Sequence, residues 1–472
     1  MNRLVFLLFM TTLANLNCQT VGNGYDIPVT VSGLPGAKVY LAYHMGNRQY
    51  IRDSLTLGSD GRGTFSGPNS LDQGVYMLVL PGSRYFEFLI TDDQSFSIRC
   101  DHNDLMNSIE FEGSAENVIF FNFQKGWAEL HSKSEYLRSR YSLSRQNPDS
   151  LEVFNNKMKG LDAEMKAYLN ETVDKNRGSY VAALVKAMVP IDLPDFASQP
   201  ELAGNDSLQW VNRHNYTRDH YFDNFDLSDD RLLRSPMFHN KIEHYFTEII
   251  LQYPDSVMSA IDKVIGMTGD NKKTFQYVSV FLFNHFRESQ LMGHDAIIVK
   301  LADDIYLSGR ADWATPEFVD NLRKDVDKLR PSLIGNKAVN LVMETYGHGP
   351  VSLQNINSEF LILYFWEPDC GHCKETTPLL REFYLINREK GIEVLSICTQ
   401  PDRKKWEDYI RENELNWING WDPDRLTHYD FFYNIQATPT IFILDREKRI
   451  IAKKLPIESV EPFIENYRKY GR

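Results

Sequence analysis

The chain has 472 residues, 42% of them hydrophobic and 24% charged, and a net charge of −13. Such a length exceeds one hydrophobic core, and about three domains of ~150 residues are expected. The acidic balance argues against a nucleic-acid partner, which needs a clustered basic face.

The first residues carry a basic Arg3 and then an apolar run over residues 4–10, loosely extended through Leu13, Ala14 and Leu16. The run is shorter than the ~20 residues a membrane span needs. It fits the hydrophobic part of a signal peptide over residues 1–18. Cys18 stands where a lipoprotein carries its lipidated cysteine, although Asn15, Leu16 and Asn17 match that signal poorly. Plain cleavage and a lipid anchor both stay open, and a lipid at Cys18 is the one membrane tether expected. The mature chain is expected in the periplasm or cell envelope, where disulfides can persist.

Residues 25–113 alternate in the manner of β-strands. "AKVYLAYH", "GVYMLVL", "YFEFLI" and "SFSIRC" are short β-branched and aromatic runs separated by turn signals such as "SDGRG" and "LPGS". This spacing predicts an all-β domain, a small antiparallel sandwich or barrel. Over residues 114–333 the period becomes helical. Leu151, Phe154, Met158, Leu161, Met165 and Tyr168 recur at steps of three and four, which puts them on one helix face. Asp149 and Ser150 are suitable caps for that helix. Pro190, Pro194 and Pro200 mark a loop-rich interruption of this α-helical middle domain. No His, Asp or Glu group in it has the spacing of a metal site.

"LRPSLIGNKAVN" reads as a linker into a last domain over residues 335–472, where strands and helices alternate. "AVNLVMETYGHGPVSL" is a hairpin candidate. "FLILYFW" is a continuous apolar run, as a central parallel strand requires. A helix from about Gly371 follows, then the strand "IEVLSIC", the helix "DRKKWEDYIREN", the strands "TIFIL" and "RIIAKKL", and a closing helix. The alternation predicts an α/β layer fold.

Two of the five cysteines lie in "FWEPDCGHCKETTP" at residues 365–378. Cys100 and Cys398 sit alone in strand-like runs and read as small buried hydrophobes. For the Cys370–Cys373 pair, a c-type haem would need a histidine after the second cysteine, and Lys374 stands there. A zinc site needs about four ligands, and this pair supplies two. A peroxide-reducing cysteine would follow a proline and a threonine at other spacings. A redox dithiol fits better. Cys370 falls where a strand ends and a helix begins, and the free N–H groups of a helix start favour a thiolate. Cys373 is one turn on, within disulfide reach. A protonated His372 would add to thiolate stabilisation. Far along the chain, Pro439 follows Thr438 at the entrance of "TIFIL", a candidate cis bond.

Trp366, Cys370-Gly371-His372-Cys373, Pro378 and Thr438-Pro439 together resemble the thioredoxin superfamily, and more closely its TlpA/ResA-like branch of exported thiol-disulfide oxidoreductases. The resemblance covers residues 335–472. The arrangement of such a domain behind a long β and helical part looks like multi-domain envelope proteins of Gram-negative bacteria. It implies that Cys370 is the nucleophile, Cys373 the resolving thiol, and Thr438 the backbone that holds a client beside the sulfurs. Gly371, His372, Trp366 and Pro439 would support the site, and Pro378 would kink its helix. The redox-active disulfide would be the only redox group, with no separate cofactor and no metal. Partners would be protein thiols or disulfides and an unidentified electron donor or acceptor, with reduction favoured over oxidation. Two positions depart from the family pattern: Tyr364 stands where a buried Asp is usual, and Thr376 where a Glu is usual. Glu367 and Asp369 also flank the motif, and negative charge there would raise the Cys370 pKa and slow exchange. A second reading makes residues 25–333 a docking module for an envelope partner, with the C-terminal domain accessory.

Overall fold

The structure, a computed structural model, describes residues 24–143 and 148–471. The signal-peptide and Cys18 lipid expectations lie outside the described residues. Among the described residues no helix is long and apolar enough to cross a membrane. The fold is multi-domain, with a β-rich N-terminal part, a helical middle and a C-terminal sheet. Contacts divide the chain into two compact units, the first ending at Ile249 and the second beginning at Ile250. The helical stretch is thus shared between both.

Among the described residues of the first unit, eight strands form two four-stranded sheets. One has the order β4 (Arg62–Gly67), β1 (Tyr25–Ser32), β7 (Ser97–Asp101), β8 (Glu110–Glu112); the other runs β3 (Arg48–Thr56), β2 (Lys38–Met45), β5 (Gly74–Leu80), β6 (Arg84–Ile90). Ile27, Val29 and Val31 alternate inward from β1 and meet Leu41, Leu78, Phe65 and Phe88 in one core. The sandwich is not purely antiparallel. β1 and β7 run parallel, with Val29 opposite Ile98, because the chain crosses to the second sheet twice, through β2–β3 and through β5–β6, and returns first as β4 on one side of β1 and then as β7 on the other.

Helices Ala115–Leu143 and Pro148–Lys175 follow. Leu161 and Leu169 on the second are buried, and Phe154, Met158, Met165 and Tyr168 are half-buried, so the periodic face is the packed face. That helix starts at Pro148, a residue suited to a first helical position, which places Asp149 and Ser150 inside its first turn rather than at a cap.

The second unit opens with helices Pro254–Met267, Lys272–Arg287, Asp295–Leu301 and Pro316–Leu329. Asn271 and Thr315 cap two of them by accepting backbone N–H groups of the first turn. The segment read as a linker is not free. The Gly335 N–H donates to Ile450 O (2.8 Å), the Ile450 N–H to Asn336 O (2.9 Å) and the Ala338 N–H to Lys448 O (2.8 Å). Its backbone groups run beside a strand edge whose own donors and acceptors would otherwise go unpaired.

A seven-stranded mixed sheet follows, ordered β10 (Val351–Ser352), β9 (Val342–Thr345), β13 (Ile418–Trp421), β12 (Ile392–Cys398), β11 (Phe360–Trp366), β14 (Thr440–Leu444), β15 (Ile450–Lys453). β11, β12 and β13 are parallel neighbours, and β14 pairs antiparallel with β11. Every residue of β11 is buried, which explains its uninterrupted apolar run. Alternation sorts them to two faces. Phe360, Ile362, Tyr364 and Trp366 join a core with Cys373, Leu380 and Trp406; Leu361, Leu363 and Phe365 join another with Tyr429, Tyr433 and Phe442. The β9–β10 hairpin predicted from residues 338–353 is present.

Candidate active site

β11 ends at Trp366, and the chain turns through Glu367, Pro368 and Asp369 into the helix Gly371–Asn387. Cys370 is the capping residue of that helix. Its backbone is extended (φ −73°, ψ 123°), and its Sγ accepts the Cys373 N–H at 3.3 Å. A helix start leaves such N–H groups without partners, and here one is spent on the sulfur. The Cys370 thiol also donates to the Thr438 carbonyl at 3.4 Å. Thr438 precedes a cis peptide bond to Pro439, at the entrance of β14. Strand β14 lies beside β11, so residues 68 positions apart meet at the end of one sheet.

The two thiols occupy different surroundings. Cys373 is fully buried, whereas Cys370 is half-buried. Burial, then the hydrogen bond with Cys370 and its charge, pushes Cys373 up to about 12. Burial also acts upward on Cys370, but the hydrogen bonds from Cys373, through thiol and N–H, and from Thr438 and the His372 N–H outweigh it, so its net direction is down. The pair is an accessible, readily ionised sulfur in front of a protonated buried one. Cys100 and Cys398 are both buried, with burial pushing their thiols up to about 11 and about 12.

The other residues singled out from the sequence fall in distinct places. His372 is 86% exposed on its side chain and faces Glu375 at 3.6 Å, so its backbone N–H rather than its imidazole addresses Cys370. Gly371 is exposed, and an added Cβ there would meet nothing within 4 Å. Trp366 is fully buried in the same core as Cys373, stacked parallel to Tyr364 (6.4 Å, 2°) and 4.9 Å from the Tyr409 ring. Pro378 lies inside the helix. The flanking acids are tied down: Asp369 accepts from Lys405 Nζ and from Gln400, both at 2.7 Å, and Glu367 accepts the Thr399 hydroxyl at 2.6 Å. Lys405 and Gln400 hold the Asp369 carboxyl below its usual range. Their neighbourhood therefore does not carry the expected upward shift to Cys370, whose net direction is down.

Where the family's buried acid was sought, there are hydroxyls. The Tyr364 OH and Thr377 Oγ1 share a buried hydrogen bond of 2.8 Å. Burial is the main reason Tyr364 stays neutral. Thr377 and Tyr409 were not singled out from the sequence. Thr377 was within reach of that reasoning, since it sits four residues after Cys373 on one helix face. Tyr409 comes from the separate helix Arg403–Glu412, and nothing local in the sequence points to it. Among the described residues no cluster of three or more His, Cys, Asp or Glu could hold a metal.

The chain is similar to several known proteins. A family model described as thioredoxin-like matches residues 357–450, and one described as a domain of unknown function (DUF5106) matches residues 199–303. The thiol-disulfide oxidoreductase ResA of Bacillus cereus is 22% identical over 120 residues, covering 25% of this chain and 68% of that protein. A solved domain of a possible thiol-disulfide isomerase from Cytophaga hutchinsonii is 36% identical, covering 29% of this chain and 94% of that one, with a TM-score of 0.28. A thioredoxin-like protein from Bacteroides caccae is 20% identical, covering 58% of this chain and 98% of that one, with a TM-score of 0.44. The C-terminal domain of this chain belongs to the thioredoxin-like family of thiol-disulfide oxidoreductases.

Proposed function

We propose that the protein is an exported thiol-disulfide oxidoreductase that exchanges disulfides with client proteins of the periplasm or cell envelope. The observation that carries this is the asymmetric pair: Cys370 at a helix start, held by the Cys373 N–H, with Cys373 buried behind it. In the reducing direction the Cys370 thiolate attacks a client disulfide, and one client sulfur leaves with the electron pair. Cys373 then attacks Cys370 Sγ. The Cys370–Cys373 disulfide forms, the bond to the client breaks, and the client is left as a dithiol. Thr438, whose carbonyl already faces Cys370, is the backbone beside which the client chain would lie. An electron donor of unknown identity would restore the dithiol.

The reductase direction follows the TlpA/ResA resemblance. A readily ionised Cys370 stabilises the dithiol form and acts against strong reducing power, so the potential of the pair is the informative quantity. Purified protein should reduce insulin disulfides, and Cys370→Ser should abolish this. Equal rates in both would overturn the exchange function. A potential near about −270 mV supports reduction, and one near about −120 mV reverses the direction.

A second reading, in which the N-terminal part binds the partner, draws on the groove between helices Ala115–Leu143 and Pro148–Lys175. It has a volume of about 640 Å³ and is lined by Tyr136, Leu137 and Leu161 among others. Tyr136 is 62% exposed there. A Cys373→Ser chain traps clients as mixed disulfides. If the groove selects them, adding Tyr136→Asp changes the trapped set; an unchanged set rejects that role.

A further inference from the structure

Exchange through this pair makes a demand that the cysteines cannot meet alone. Cys373 must lose its proton as it attacks, yet it lies wholly inside an apolar core. The nearby acids are committed elsewhere. Glu367 is held by Thr399, Asp369 by Lys405 and Gln400, and Glu375 faces His372 at the surface. On β12, Cys398 is itself a buried thiol. What remains around Cys373 is a set of hydroxyls from three elements. Thr377 stands one turn after Cys373, and both are fully buried on the same face. Tyr364 points from β11 to that face and shares the 2.8 Å hydrogen bond with Thr377. Tyr409, half-buried with its ring 4.9 Å from that of Trp366, stands near Thr377 on the less buried side of this layer.

We propose that Thr377 and Tyr364, with Tyr409 on the solvent side, form a hydroxyl relay that removes the proton of Cys373 during resolution and keeps its thiolate hydrogen-bonded. The inference rests on the exchange function proposed above and concerns its second step. Cys373 passes its proton to the Thr377 oxygen as its sulfur attacks Cys370 Sγ. The Thr377 proton moves on to the Tyr409 oxygen, whose own proton goes to water, while Tyr364 stays hydrogen-bonded to Thr377. The Cys370–Cys373 bond forms, and the Cys370–client bond breaks with its electron pair on the client sulfur. That thiolate is protonated from water. The hydroxyls end as they began, the cysteine pair is oxidised by two electrons, and the client is reduced by two. The relay residues are positioning groups for Cys373, since none of them touches the client.

The test separates the two steps. Reduced full-length protein is mixed with Ellman's reagent in a stopped-flow instrument. The first equivalent of released chromophore reports attack by Cys370, and the second reports resolution by Cys373. Tyr364→Phe keeps the ring against Trp366, and Thr377→Val keeps the shape of the threonine. Each is expected to slow the second release by about tenfold or more, as loss of proton-transfer assistance does, and to move its pH dependence upward. The first release should be unchanged, which also reports that the site is folded. Thr377→Ser should restore the second release. Second-phase rates equal to wild type in both variants across neutral to mildly alkaline pH would overturn the relay. Equal slowing of both phases, or no rescue by serine, would assign these residues a packing role and overturn it too. Absence of the first release in the wild type would instead remove the exchange function on which the relay depends.

Discussion

Lys453 is a charge buried within the second unit, and its removal from balance should be measurable. It is the last residue of β15, with its side chain 7% exposed. Its Nζ donates to the Asp295 carboxylate and to the Ser332 carbonyl (2.6 Å), tying the sheet to the helical segment before it. Asp295 is itself only 19% exposed, and its Oδ1 has no partner among the described residues. Breaking a buried pair strands the remaining charge, at a cost of about 3–5 kcal/mol. For a unit of this size each kcal/mol moves Tm by about 2–4 °C, so Asp295→Ala should lower Tm by roughly 6–20 °C. Burial, partly offset by Asp295, already holds the Lys453 ammonium below its ordinary value of 10.5. Between the folded and unfolded pKa the unfolded chain binds more protons, so stability rises with pH in that window. Loss of Asp295 deepens the depression, and the deficit of the variant should therefore shrink as pH rises toward 10.5. Asp295→Leu with Lys453→Met removes both charges and should recover most of the loss. Differential scanning calorimetry over a pH series measures all of this. A single variant within about 1 kcal/mol of wild type, with no pH dependence, would refute the argument.

Two further predictions address the cysteine turn. Iodoacetamide should alkylate Cys370 with a rate that rises with pH and reaches its midpoint below the ordinary 9.0, while Cys373 stays unmodified until far more alkaline pH; peptide mass mapping distinguishes them. Gly371→Ala should leave the Ellman's-reagent phases within about twofold and raise stability by up to about 1 kcal/mol, because the added methyl meets no atom and alanine favours a helix. A large loss of activity would show that the glycine serves the approach of a client.

The strands and helices of the last domain were legible because each carries a clean signal. β11 is a continuous apolar run, its helix begins at a motif, and the proline at 439 opens the next strand. The sandwich was legible for the same reason, since β2, β5, β6 and β7 fall in short β-branched and aromatic runs between turn signals; the parallel pairing of β1 with β7 was not, because strand order is decided by which edges meet after the chain has crossed sheets. The cysteine pair could be found by spacing. Its electrostatics could not. Glu367 and Asp369 looked threatening in sequence, but Thr399, Gln400 and Lys405 engage them from a neighbouring segment about 30 positions away. His372 looked helpful, yet its imidazole faces outward and its N–H is the group that counts. Tyr364 looked like a missing acid, and its meaning emerged only with Thr377 and Tyr409 beside it. Pairwise effects inside one helix can be read from periodicity, whereas those that need a third element wait for the fold.

The backbone rail over residues 335–338 carries a practical consequence. It lines the outer side of β15, at the rim of a seven-stranded sheet. A fragment trimmed to begin at β9 discards that cover along with Asp295. It would present naked strand donors and acceptors, the kind of rim that recruits other strands into aggregates. Poor behaviour of such a fragment would reflect where it was cut, and would say nothing against the chemistry of Cys370.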